Sequence, residues 1–231
     1  VEVAGLLSVK LFGAVGNGSH DEAEAVRRAM NATTLCGGCV FFPPGRYFFN
    51  STVALAGCVK GSQGGGGTDG TSEPMVDISG GSGIIPVTVN NSLFLSDVAV
   101  HGDHCAIYIV NTAGVRFVNV GAHASVDADH GNYTEEGCNA TACNVVLGSM
   151  SAAMVVENSF WLWFERVAFS AQGLSGSCPH PYKTTPTNDC QWGQRPTVLL
   201  RGRGCNPGER CGVAEVYLVR FDRAIFTGGG V

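Results

Sequence analysis

Hydrophobic and polar positions along this chain alternate in short runs, and only one stretch carries a helical stripe. The stripe lies near the start. Ser19 or Asp21 is placed to cap a helix, Glu22 and Glu24 favour its positive N-terminal end, and Arg27 and Arg28 lie towards its C-terminal end. Val26, Ala29 and Met30 give it a modest apolar face. Next comes Val40-Phe-Phe-Pro-Pro-Gly-Arg-Tyr-Phe-Phe49, which reads as two short strands about a Pro-Pro-Gly turn. Proline fixes φ there and glycine accepts the positive φ of a type II corner. The glycine-rich stretch from Gly61 to Gly70 reads as a surface loop between strands.

The downstream half contains an imperfect repeat. Leu95-Ser-Asp-Val-Ala-Val100, Phe117-Val-Asn-Val-Gly-Ala122, Phe164-Glu-Arg-Val-Ala-Phe169 and Phe221-Asp-Arg-Ala-Ile-Phe226 share one pattern of large apolar, variable, polar, apolar, small or variable, apolar. Their first residues lie 22, 47 and 57 apart. Asn91-Ser92, Asn111-Thr112 and Asn158-Ser159 precede the first three. Such spacing without intervening helices predicts a solenoid, a parallel β-helix adding one coil per repeat. Asparagine at successive bends tolerates the left-handed conformation, and its amide can bond its counterpart one coil away. An antiparallel sandwich is the alternative and requires no asparagines in register. The expectation is therefore an all-β fold, a parallel β-helix with a short N-terminal capping helix. It forms a single domain over residues 1–231, with a capping segment at 8–60, the glycine-rich loop at 61–74 and coils from 75 onward.

Composition narrows the compartment and the partners. No apolar run reaches the ~20 residues of a membrane span. A net charge of −5 and a pI near 5.6 lack the basic footprint of a nucleic-acid binder. Ten cysteines suit an oxidising compartment. Cys36-Gly-Gly-Cys39 has no second pair to complete a zinc site, whereas Cys138 with Cys143, Cys178 with Cys190, and Cys205 with Cys211 are spaced for disulfides that close loops. Asn17, Asn31, Asn50, Asn90, Asn132 and Asn139 each begin an Asn-x-Ser/Thr acceptor. Together these features predict a secreted glycoprotein, with Val1 read as a processed start.

The N-terminal quarter resembles the opening of the pectate-lyase-like right-handed β-helix proteins, a group that includes polysaccharide lyases, β-1,3-glucanases and phage tailspikes. The resemblance rests on Phe12-Gly-Ala-Val-Gly-Asn-Gly18, Asp21-Glu22, the helix, and Gly38-Cys-Val-Phe-Phe-Pro-Pro-Gly-Arg-Tyr47, and covers roughly residues 8–60. It implies a right-handed coil. Asn17 replaces the usual aspartate, creating an acceptor site inside the motif, and Glu22 stands where a second aspartate is common. Because the segment caps the helix and seals the first coil, neither change touches catalysis. The Asn-Thr-Asp, Asp-Asp, Gly-His-Gly and Arg-Ile-Lys signatures of polygalacturonase-like enzymes are absent.

Candidate chemistry is sparse. Carbohydrate cleavage requires paired carboxyl groups, or a base beside a substrate carboxylate. The best polar group is Asp97, His101, Asp103 and His104, an acid–base or metal candidate at a turn between coils. His123, Asp127, Asp129, His130, Glu135 and Glu136 read as an acidic insertion, whose oxygen ligands could hold calcium but whose spacing matches no known loop. Trp161 and Trp163 alternate with Phe160, Leu162 and Phe164, so one aromatic set faces outward, for stacking on sugar rings or contacting a partner. No cofactor or metal is expected.

The resulting expectation is an extracellular glycosylated β-helix module with a structural or assembly role, such as a cell-surface or filament subunit. Its partners would be copies of itself, extracellular-matrix components or cell-surface proteins. The alternative is a polysaccharide lyase or glycoside hydrolase. The chain reaches Val231 directly after a strand, which predicts either a longer natural protein or an end that stacks on another subunit.

Overall fold

A computed structural model describes residues 5–66, 72–81, 84–103, 105–125, 152–172, 197–201 and 216–228. The first coil comprises β1 (Leu6–Ser8) and β2 (Asn17–Asp21), with a 3-10 turn at Val9–Phe12 between them. Helix α1 (Ala23–Cys36) follows, then β3 (Cys39–Phe41) and β4 (Gly45–Phe49). The next coil is β5 (Val53–Ala54), β6 (Gly57–Lys60), a hairpin of β7 (Gln63–Gly66) and β8 (Ser72–Pro74), and β9 (Val76–Gly80). After these come β10 (Val87–Val89) with β11 (Leu93–Gly102), and β12 (Ile107–Val110) with β13 (Ala113–Ser125). The last two coils are β14 (Met154–Glu157), β15 (Phe160–Glu165) and β16 (Ala168–Gln172), then β17 (Val198–Arg201), β18 (Tyr217–Asp222) and β19 (Ile225–Gly228).

Strands from successive coils pair in parallel, and among the described residues only the β7–β8 hairpin is antiparallel. The strands form a twelve-stranded sheet and a five-stranded sheet of order β17-β14-β12-β10-β5. Parallel pairing of this kind defines the β-helix and excludes the sandwich. The repeat fixes the register: Leu95 pairs with Phe117, Phe117 with Phe164, and Phe164 with Phe221. At the far end of the repeat Val100, Ala122, Phe169 and Phe226 stack in turn. Leu95, Phe117, Phe164 and Phe169 are fully buried, and burial of each large side chain contributes roughly 2–3 kcal/mol. Aromatic rings meet between coils, with Phe164 stacked on Phe221 at 4.9 Å and edge-on to Phe117 at 5.3 Å.

The polar third position of the repeat is where each coil bends. Asp97, Asn119, Arg166 and Arg223 all have left-handed φ of 51–61°. Asn111 and Asn158 are also left-handed, and the Asn158 amide donates to the Asn111 oxygen at 2.7 Å, as the asparagine pattern predicts. Asn91 does not join them. Between paired positions the chain from Val89 to Leu93 is two residues shorter than that from Ile109 to Val115, and the Asn91 side chain instead accepts from the Ser92 amide.

Helix α1 lays Ala23, Ala25, Val26, Ala29 and Met30 over the first coils, beside β3 and β5. It extends well beyond Arg27 and Arg28, which are therefore mid-helix and leave no basic residue in the last turn. Asp21 accepts from the Ala23 and Asn50 amides. Glu22 is buried and turns back to accept from Val15 and Gly16 amides at 2.9 and 2.7 Å. These two carboxylates tie helix, first coil and second coil together.

Candidate functional site

The polar residues worth weighing lie on the outward face of the large sheet, where parallel pairing lines side chains up along the coil axis. Beyond the bend, Ser79, His101, His123 and Ser170 occupy one row of successive strands. The imidazoles of His101 and His123 stack with ring centroids 4.8 Å apart. His123 Nδ1 lies 2.5 Å from the Ser170 hydroxyl, and His101 Nε2 lies 3.7 Å from an Asp77 carboxylate oxygen. The other Asp77 oxygen faces Arg46 at 3.9 Å. Burial pulls the His123 pKa below its ordinary value, the neighbouring His101 lowers it further, and Asp77 partly opposes both.

The chemistry open to this row is limited. A serine beside a histidine suggests nucleophilic catalysis, which also requires donors for the developing oxyanion. Here the backbone amides around Ser170 are committed to the strand ladders with β13 and β19. The row is an inter-coil polar ladder, with the His123 pKa held below its ordinary value by burial.

The structure distributes the residues singled out in the sequence over different environments. Asp97 sits at the bend, and its Oδ1 accepts from the Gln63 amide at 2.8 Å and from the Asn119 amide at 2.9 Å. His101 turns to Asp77 and His123 instead. Asp103 is half-buried just past β11, and His104 lies outside the described residues. His123 belongs to β13 and not to the acidic insertion, because strand pairing with β11 continues through it. Asp127, Asp129, His130, Glu135 and Glu136 lie outside the described residues. Among the described residues no group of three or more His, Cys, Asp or Glu converges as a metal site. Sequence reasoning missed the His101–His123 pair, although the 22-residue offset from Leu95 to Phe117 also separates these two histidines.

A second outward row contains Phe94, Arg116, Trp163 and Arg220. The Arg116 and Arg220 guanidinium groups lie 5.1 and 4.6 Å from the Trp163 ring, and Arg116 is also 6.0 Å from the Phe94 ring. Glu165 faces Arg116 at 3.3 Å, Arg223 at 3.4 Å and Arg166 at 3.9 Å. Trp161 and Trp163 are exposed and Leu162 and Phe164 buried, as the alternation predicts, whereas Phe160 is only half-buried and stacks on Tyr217 at 5.0 Å. Trp161 has a left-handed φ of 56°.

Asn17, Asn31, Asn50 and Asn90 are exposed; Asn132 and Asn139 lie outside the described residues. The same holds for Cys138, Cys143, Cys178, Cys190, Cys205 and Cys211. Cys39 and Cys58 form a disulfide between adjacent strands β3 and β6. Cys105 is a buried free thiol, pushed up to about 12 by burial and partly offset by hydrogen bonding with the Val155 and Ile107 backbone. Among the described residues no helix is long and apolar enough to cross a membrane.

Comparison with known proteins agrees with this architecture. Residues 6–106 match the family described as rhamnogalacturonase A/epimerase, pectate lyase-like. Over 51 residues the chain is 47% identical to plasmin and fibronectin-binding protein A of Streptococcus pneumoniae, a match spanning 21% of this chain and 7% of that protein. The crystal structure of PfbA, a surface adhesin of Streptococcus pneumoniae, superposes with a TM-score of 0.56 at 16% identity, covering 96% of this chain and 48% of that one. The Dettilon tailspike protein gives a TM-score of 0.52 at 9% identity, covering 84% of this chain and 37% of the tailspike. The chain spans less than half the length of either solved structure.

Proposed function

We propose that this parallel β-helix chain, whose residues 6–106 match a pectate-lyase-like family, is an extracellular, N-glycosylated module with a structural or assembly role at a cell surface or in a filament. One observation carries the reading. The outward carboxylates Asp77, Asp97 and Glu165 are each engaged by neighbouring coils, and this leaves no opposed pair of free carboxylates among them for glycoside cleavage. Exposed acceptor asparagines and a surface-adhesin relative support the extracellular part of the reading. The test is direct. The native protein is treated with an N-glycosidase and weighed, and its assemblies are imaged by electron microscopy. A mass loss and ordered oligomers or filaments are expected; an unglycosylated, strictly monodisperse monomer defeats the proposal.

The match of residues 6–106 to a family of carbohydrate-active proteins favours a second reading, a polysaccharide lyase or glycoside hydrolase. Under it Asp97, His101, Asp103 and His104 are the acid–base candidates. Depolymerisation of a polygalacturonate or rhamnogalacturonan panel that disappears in Asp97→Asn would establish that reading. Activity that persists in Asp97→Ala, Asp103→Ala and His104→Ala would reject this local site.

A further inference from the structure

The outward face of β15 and β18 combines two features, bulky side chains on a left-handed backbone and a concentration of arginine. The first is strain. Gly114, Trp161 and Leu218 hold the same place in three successive coils, and all have positive φ, of 74°, 56° and 55°. Glycine satisfies that backbone freely, whereas a bulky side chain there costs about 1–2 kcal/mol. Burial does not offset the cost, because Trp161 is 61% and Leu218 60% exposed. Both side chains present most of their surface to solvent, with Trp161 edge-on to Phe160 at 5.3 Å.

The second feature is charge. On a chain of net charge −5 this face presents, among the described residues, Arg116, Arg166, Arg220 and Arg223 against Glu165 and Asp222. Trp163 lies between Arg116 and Arg220, which holds both guanidinium groups along the surface. Tryptophan and arginine at the centre of a patch are the residue types that carry most binding energy in protein interfaces.

We propose that this face docks an acidic segment of a protein partner. Its carboxylates would be received by Arg116, Arg220 and Arg223, and its apolar side chains would lie on Trp161 and Leu218. A uniformly anionic polysaccharide fits less well, because Glu165 and Asp222 interrupt the positive row and an aliphatic Leu218 offers no platform for a sugar ring. The proposal deepens the partner-binding part of the proposed function and rests on it only for where the partner is met. Binding measurements read the face itself, whatever the glycosylation or assembly state.

The experiment pans a random dodecapeptide phage library on the purified full chain, then measures affinities of synthesised hits by calorimetry. Heparin and polygalacturonate are measured in parallel. Selected peptides rich in Asp and Glu with interspersed apolar residues are expected. They should bind at least about tenfold more weakly to Trp161→Gly and Arg220→Ser, and unchanged to Leu35→Ser, a control on the exposed end of α1. Arg220→Lys retains the charge but lacks the planar fork, and should recover only part of the loss. Thermal melts identify any variant that fails to fold. Three results each overturn the proposal: no acidic peptide is enriched, enriched peptides bind the face variants as tightly as wild type, or heparin or polygalacturonate, in place of peptides, loses binding in those variants.

Discussion

Replacing Asp97 tests whether this carboxylate is a ladder element or a chemical group. Its Oδ1 accepts two amide donors, from Gln63 at 2.8 Å and Asn119 at 2.9 Å, and its backbone is left-handed. Asp97→Ala removes both bonds. Gln63 is exposed and turns to water at little cost, but Asn119 is buried and its amide is stranded. A lost bond to a charged acceptor costs about 1.5–3 kcal/mol, and alanine in the left-handed region adds about 1 kcal/mol over aspartate. The sum is about 3 kcal/mol, a drop of about 6–12 °C in melting temperature for a chain of this size. Asp97→Asn keeps an acceptor oxygen and tolerates the same φ, so it should cost about 1 kcal/mol or less. Urea unfolding with matched m-values reads the difference. If the two variants are equally destabilised, the negative charge governs this position and the ladder account is wrong.

Further outcomes follow from other contacts. His123 has a lowered pKa in the folded state, so the unfolded chain binds its proton first; stability should fall as pH drops below about 6.5 towards the folded value. Unfolding from pH 8 to pH 5 should show this dependence weaken in His123→Gln, with His101, Asp77, Arg46 and Ser170 still facing the site; an unchanged profile would assign it elsewhere. The Cys39–Cys58 bond closes a loop between cysteines 19 residues apart, so replacing both with serine should cost about 3 kcal/mol, read as a shifted urea midpoint. Cys105 should resist iodoacetamide at pH 8 in the native protein and react once unfolded, as peptide mass spectrometry of that residue would show.

The coil was legible because inward positions cannot drift. Leu95, Phe117, Phe164 and Phe221 must stay large and apolar to stack, and their spacing in sequence became pairing in space. The bends were less legible, because left-handed backbone is set by the coil and accepted there by Asp, Asn and Arg alike. Asp77 gave no signal of its own: the β7–β8 hairpin separates β6 from β9, so the spacing that relates later coils fails to reach it. His123 carried the right offset from His101 but lay next to a run of acidic residues that drew it into a loop reading. The Cys39–Cys58 pairing could not be chosen among ten cysteines without knowing that β3 and β6 are neighbours.

The register has a use beyond holding the coil together. Ser125 and Met154 end and begin strands that sit in adjacent coils, yet many residues separate them in sequence, and pairing resumes in step on the far side. Lengthening such a connection is entropically cheap, about 0.6 kcal/mol per doubling. The corners between coils are therefore natural ports for foreign sequence. An epitope or enzyme segment spliced between β13 and β14 would be displayed on a rigid rod, with neighbouring ports set about 4.8 Å apart per coil along its axis.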